Sequence, residues 1–202
     1  MQIVQERPGT DVFAAARKAM IDSQLRVSGV NAEFVLARMA AVPRENFVPE
    51  AVRSQAYADR ATPLGNGRYL AAPLVQGRML EEAEPTEQDK ALLVDGGSGY
   101  LAELVRPLVG SLAVITPEDA IADKIDGGQF SLLLIDGAIE QLPASLVARL
   151  DDGARVITGL KLRGVTRVAT GVKAAGDVAL IPLAEIGIPE LPEFAAPKGW
   201  SF

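Results

Sequence analysis

The chain has 202 residues and a net charge of −6, and its residues are 49% hydrophobic but only 5% aromatic. A chain of this length is expected to form one domain, with a core of Val, Leu, Ile and Ala. It contains no Cys and no His, which excludes disulfides, thiolate nucleophiles, Ser-His-Asp triads and most transition-metal sites. Its acidic balance without a basic run argues against nonspecific nucleic-acid binding.

The first part of the chain, residues 1–83, is predicted to form a helical and loop-rich addition. Two helices with an apolar face are expected first, separated by a stop at Gly29, and Asn31 is the predicted cap of the second. The Pro- and Gly-rich stretch over 43–73 predicts ordered loops with short helices, and a helix over 74–83 follows.

From Ala91 onward, strand-like and helix-like runs alternate, which predicts a mainly parallel sheet covered on both faces. The predicted strands are 91–95, 112–116, 132–136 and 154–160, and the predicted helices are 100–108, 117–125 and 143–150. Two later runs, 164–173 and 177–184, predict an antiparallel hairpin at the sheet edge. The expected organisation is thus a single α/β domain over 1–202, with its core in 84–202.

A glycine-rich run follows the first strand of this predicted sheet and is the strongest candidate for a ligand site. It reads Asp95-Gly96-Gly97-Ser98-Gly99. A strand, tight turn and helix of this kind bring backbone N–H groups close to a nucleotide-type cofactor. A tight turn without any ligand has the same pattern, so the run alone does not separate the two interpretations.

Several strings, in order and over nearly the whole chain, carry a family resemblance. They are Met20 to Arg26, Val42 to Pro49, Ala56 to Arg60, Pro63 to Arg68, the glycine-rich run, and Ile135 to Ala138 followed by Pro143. With these strings the chain resembles the protein-L-isoaspartate O-methyltransferase family, which uses S-adenosylmethionine (SAM). The resemblance implies a Rossmann-like methyltransferase sheet, SAM as cofactor, and isoaspartyl carboxylates of damaged proteins or peptides as substrates.

The resemblance also implies positions for the site. The implied cofactor contacts are Asp95, Gly96, Gly97, Ser98, Gly99, Thr116 and Asp136, and the implied substrate-side loop contains Asp59, Arg60, Tyr69, Ala71 and Pro73. Four charged residues within the matching strings form either a substrate site or an internal ion-pair network, and both interpretations stay open. These residues are Arg44, Glu45, Asp59 and Arg60. No nucleic acid, membrane or metal is expected as a partner. Because the sequence has no apolar run of about 18 residues and no signal-peptide pattern, the chain is expected in the cytoplasm.

Three positions depart from the family pattern. Leu93 stands where the family has an acid on its first strand, and Asp95 either takes over that role or caps the following turn. Thr116 stands where an acid binds the ribose of SAM, and it has the sequence context of a helix cap. Ala71 stands where a Ser helps to place the methyl acceptor, so no catalytic residue is assigned.

A fourth departure is the short connection of 14 residues over 117–130, where the family has a helix, a strand and a second helix. We therefore expect a sheet one strand short, with 112–116 as an edge covered by the tail 189–202 or by a second protomer in a homodimer. Together the departures predict that methyl transfer is impaired or lost. The alternative is a non-catalytic paralogue that serves as a protein-binding or oligomeric module.

Overall fold

The computed structural model describes residues 8–197, with side chains from residue 12 onward, as a sheet with helices on both faces and a helical segment before it. The helices are α1 (Pro8–Met20), α2 (Glu33–Ala41), α3 (Pro73–Ala83), α4 (Tyr100–Val105), α5 (Pro117–Ile121) and α6 (Ala144–Ala148). The strands are β1 (Thr62–Gly65), β2 (Arg68–Leu70), β3 (Lys90–Val94), β4 (Ser111–Ile115), β5 (Phe130–Ile139), β6 (Leu150–Leu162), β7 (Val165–Ala174), β8 (Asp177–Val178) and β9 (Ile181–Glu185). Within this range, no helix has the length and apolar character needed to span a bilayer.

The predicted cap of the second helix is wrong. Helix α2 begins at Glu33, and the residue before it, Ala32, makes no side-chain cap. Instead, the carboxylate of Glu81 on α3 accepts hydrogen bonds from the N–H groups of Asn31 and Ala32, each at 3.1 Å. A carboxylate of the neighbouring helix therefore accepts from the backbone N–H groups just before α2, and the stop at Gly29 is confirmed.

The stretch between α2 and α3 is ordered, as predicted, and carries short 3-10 helices at Arg44–Phe47 and Glu50–Gln55. It also contains a two-stranded antiparallel hairpin, β1–β2, which the sequence analysis did not predict. The strands are only four and three residues long, too short for a recognisable alternating pattern.

The main sheet has the strand order β4-β3-β5-β6-β7, and both β8 and β9 pair with the outer edge of β7. The first four strands are parallel, and β7 to β9 are antiparallel, which confirms the predicted sheet and its terminal hairpin. The sheet therefore has seven strands in six positions, because β8 and β9 share the position next to β7. Strand β4 pairs only with β3 among the described strands, so the predicted edge at this position is confirmed.

Alternating side chains of the central strands pack into two apolar clusters, one on each face of the sheet. Ala91 and Leu93 of β3 join the cluster on the side of α2, α3 and α4, while Leu92 and Val94 join the cluster that includes α5 and α6. Strands buried on both faces read as continuous apolar runs, which is why β3 and β5 were recognisable in the sequence.

The described part of the C-terminal segment, up to residue 197, does not cover the edge of β4, contrary to one of the two expectations. Its backbone follows the end of β5: the N–H of Ala138 donates to Pro189 O at 2.8 Å, and the N–H of Leu191 donates to Ala138 O at 2.9 Å. Phe194 is buried in the cluster that contains α5 and α6. The other aromatic residues of the predicted tail, Trp200 and Phe202, lie outside the described residues.

Candidate cofactor and substrate site

The carboxyl ends of β3, β4 and β5 meet at one edge of the sheet and bring the predicted cofactor residues together. The strand order reverses between β3 and β5, and open α/β sheets bind ligands in the crevice at such a reversal. Gly96 lies directly against β5, because a Cβ atom there would be 2.2 Å from the carbonyl oxygen of Asp136. The glycine run therefore packs closely on Asp136, and only a residue without a side chain fits at this point.

Asp95 caps the glycine turn, which is one of the two roles predicted for it. Its carboxylate accepts hydrogen bonds from the N–H groups of Gly97 at 3.1 Å and Gly99 at 2.9 Å. The hydroxyl of Ser98 accepts a hydrogen bond from the N–H of Tyr100 at 3.1 Å. Three backbone donors of the turn are thus satisfied within the turn itself.

Thr116 caps helix α5, as its sequence context predicted. Its hydroxyl oxygen accepts a hydrogen bond from the N–H of Asp119 at 3.1 Å, and the hydroxyl donates to the Asp119 carboxylate at 3.0 Å. Both hydrogen-bonding functions of the side chain are therefore engaged at the start of the helix.

Arg68 crosses this edge of the sheet and was not singled out by the sequence. Its guanidinium donates to Glu193 at 2.8 and 3.2 Å and to Glu118 at 2.8 Å. Its alkyl chain packs over the glycine turn, 3.4 Å from the position that a Cβ of Gly97 would occupy. The side chain thus runs from the turn after β3 to the first turn of α5, which follows β4.

Arg44 lies at the centre of a buried polar network beneath the site. Its fully buried guanidinium donates to Ala56 O at 2.7 Å, to Gln76 Oε1 at 2.5 Å and to the carbonyl of Ala71. The amide of Gln76 in turn donates to the carboxylate of Asp136 at 3.4 Å. Gln76, which the sequence analysis did not select, therefore links Arg44 to the candidate cofactor site.

Glu45 extends the same network away from the sheet. It pairs with Arg17 at 3.1 Å and accepts a short hydrogen bond from the hydroxyl of Tyr57. Burial and this hydrogen bond raise the pKa of Tyr57 to about 12, although Arg17 opposes the shift. Arg44 and Glu45 thus belong to an internal polar network, in which Arg44 bonds neutral acceptors and Glu45 forms an ion pair with Arg17.

Asp59 and Arg60 do not belong to that network, so the internal interpretation is wrong for them. Both residues are exposed, and the guanidinium of Arg60 donates to Gln55 Oε1 at 2.8 Å. Among the described contacts, neither side chain shares a hydrogen-bond partner with the guanidinium of Arg44.

The remaining substrate-side residues surround the start of α3. Ala71 and Pro73 are buried, with Pro73 at the first position of the helix. Tyr69 is 46% exposed and lines an open cavity of about 420 Å³ with Ala61 and the 187–190 segment. The structure thus places Tyr69 beside a cavity, whereas Ala71 contributes its backbone carbonyl to the buried network.

Burial raises the pKa of Asp136 to about 7, and the nearby charge of Asp95 acts in the same direction. Hydrogen bonds from Gln76 and Ser98 and the charge of Arg44 oppose this shift. The carboxyl group at the centre of the site is therefore close to half protonated near neutral pH, and it is a weaker acceptor than an ordinary aspartate.

The polar groups at this edge of the sheet are bonded within the protein. The N–H groups of Gly97 and Gly99 are bonded to Asp95, the hydroxyl of Thr116 is bonded within α5, and Arg68 lies across the turn. No group of three or more acidic side chains placed to hold a metal ion occurs among the described residues.

Comparison with known proteins gives consistent matches. The family model of protein-L-isoaspartate(D-aspartate) O-methyltransferase matches residues 15–122. A protein-L-isoaspartate O-methyltransferase of Herpetosiphon aurantiacus is 31% identical over 172 residues, covering 73% of this chain and 77% of the relative. One from Aeropyrum pernix is 48% identical over 102 residues, covering 48% of this chain and 39% of the relative.

Solved structures show the same fold. A protein assigned as a protein-L-isoaspartate O-methyltransferase of Plasmodium falciparum, in complex with S-adenosyl-L-homocysteine, superposes with a TM-score of 0.68 at 16% sequence identity. The superposition covers 89% of this chain and 97% of that one. At this level of identity the likeness establishes the fold.

Proposed function

The chain belongs to the protein-L-isoaspartate O-methyltransferase family, and from this premise we propose that it is an isoaspartate-methyltransferase-like protein in which SAM-dependent methyl transfer is impaired or lost. The proposal rests on the closed glycine turn, in which the carboxylate of Asp95 accepts hydrogen bonds from the N–H groups of Gly97 and Gly99. Its substrate class by family is a protein or peptide with an isoaspartyl carboxylate.

The expected loss of affinity follows from the hydrogen bonds that are missing. A hydrogen bond to a charged group contributes roughly 1.5–3 kcal/mol, and the family acid that would accept two of them is replaced by Thr116. The loss of two such bonds corresponds to a weakening of about 10²-fold or more. Ala71 in place of the family Ser removes a group that places the acceptor, and alignment of the reacting groups contributes up to about 7–11 kcal/mol of the barrier.

Calorimetric titration of the full chain with SAM and with S-adenosyl-L-homocysteine tests the proposal. We expect no saturable heat at ligand concentrations up to about 100 μM. Radiolabelled methyl transfer to an isoaspartyl peptide, with the aspartyl peptide as its control, is expected to stay at background. A dissociation constant in the low micromolar range together with isoaspartyl-selective turnover would contradict the proposal and identify an active enzyme.

The exposed edge of β4 favours a second candidate function, a non-catalytic module that binds another protein chain. Val114 is 42% exposed, and β4 carries no charged residue or proline that would discourage pairing. A homodimer in which two β4 strands pair antiparallel would satisfy this edge with one symmetric contact. Light scattering at twice the chain mass would support this candidate, and a monomer at high concentration would exclude the dimer.

A further inference from the structure

We infer that Arg68 is a latch that closes the candidate cofactor site with a side chain of the protein itself, held in place by Glu193 and Glu118. The inference rests on the proposed function, since it identifies what lies in the crevice where the family cofactor would be expected. It differs from that proposal because it concerns a contact that can be opened without changing Asp95 or Thr116.

The latch joins three parts of the chain that are far apart in sequence. Arg68 begins strand β2, Glu118 lies in the first turn of α5, and Glu193 belongs to the C-terminal segment. The guanidinium forms two hydrogen bonds to Glu193, a bidentate geometry that is stronger and more specific than a single contact. The side chains of Arg68 and Glu193 are only 21% and 19% exposed, so solvent screens this pair less than a surface ion pair.

Glu193 is itself held firmly by its neighbours in the C-terminal segment. Leu191 and Phe194 are buried on either side of it, and a Cβ on Gly137 would come within 2.5 Å of Leu191. The absence of a side chain at Gly137 is what allows Leu191 to seat against the end of β5. The carboxylate of Glu193 therefore lies on a segment that is packed against the core, and this packing positions it next to Arg68.

The position of the latch determines its effect. With its alkyl chain on Gly97 and its guanidinium beside Glu118, Arg68 spans the carboxyl ends of β3 and β4. A ligand lying along the glycine turn would occupy the same space. Only molecules in which Arg68 has moved away can bind such a ligand. The apparent affinity is therefore the intrinsic affinity multiplied by the fraction of these molecules.

Arg68→Ala tests the latch, and Arg149→Ala is its matched control, because Arg149 also forms a partly exposed ion pair, with Asp123. Two quantities are measured on each full-length variant: SAM affinity by calorimetry and hydrogen exchange of the backbone amides over 95–100. We expect Arg68→Ala to bind SAM at least about tenfold more tightly than the unmodified chain. Exchange over 95–100 is expected to become about tenfold faster, whereas Arg149→Ala leaves both quantities unchanged.

Glu193→Gln is a milder second variant that keeps Arg68 and the packing of Leu191 and Phe194. It is expected to change both quantities in the same direction by a smaller factor. Unchanged exchange and unchanged SAM affinity in both variants would overturn the latch. If the unmodified chain binds SAM at low micromolar concentration, the proposed function fails, and the ratio between Arg68→Ala and the unmodified chain still decides whether the latch exists.

Discussion

Replacing Asp136 by Asn is expected to remove much of the pH dependence of the free energy of unfolding between pH 5 and pH 8. The carboxyl group is buried and accepts a hydrogen bond from the amide of Gln76 at 3.4 Å. An asparagine has the same shape and keeps an oxygen that can accept this hydrogen bond, but it carries no titratable proton.

The magnitude follows from the raised pKa of Asp136, about 7 in the folded chain against roughly 4 for an unperturbed aspartate. Between these two values the folded chain retains a proton that the unfolded chain has released. The corresponding stability is fully present below about pH 4 and is lost as the pH rises through about 7. At about 1.4 kcal/mol per pH unit, the interval from pH 5 to pH 7 contributes about 3 kcal/mol.

Urea denaturation at several pH values between 5 and 8 measures this difference. Relative to Asp136→Asn, the unmodified chain is expected to lose about 2–3 kcal/mol across the range. Asp123→Asn is the matched control, because it makes the same chemical change at an exposed aspartate and should retain the full pH dependence. Parallel curves for the unmodified chain and Asp136→Asn would contradict a raised pKa of Asp136 in the folded chain.

Three further changes test the packing and chemistry of the site. Arg44→Ala leaves several buried acceptors unpaired and is expected to lower the free energy of unfolding by about 3 kcal/mol or more, against about 1 kcal/mol or less for Arg149→Ala; equal losses would contradict the central role of the network. Gly96→Ala forces a Cβ against a backbone carbonyl at 2.2 Å and should cost about 1–3 kcal/mol in denaturant melts, while Gly187→Ala, with open space around it, should cost under about 0.5 kcal/mol. Ala71→Ser should not restore methyl transfer to an isoaspartyl peptide, because the cofactor turn stays closed; turnover above that of the unmodified chain would show that the acceptor Ser alone was limiting.

Much of the candidate site was predictable because its signals are local. Asp95 is two and four residues from the N–H groups that it caps, and Thr116 is three residues from the one that it caps, so their roles depend on short-range geometry. The roles of Arg68 and Gln76 were not predictable in this way. Arg68 meets Glu193 across 125 positions, and Gln76 meets Asp136 across 60, and no spacing rule connects residues so far apart.

The amino-acid sequence was enough to predict the alternation of strands and helices from Ala91 onward, the terminal hairpin and the edge position of β4. These features depend on apolar periodicity, turn residues and the length of a connection, all of which are properties of short segments. Three features became visible in the folded chain alone: Glu81 satisfies the N–H of Asn31, the segment before residue 197 follows β5, and Arg68 lies across the glycine turn. Each of these depends on how separate elements pack, and packing selects among partners that local sequence leaves equally available.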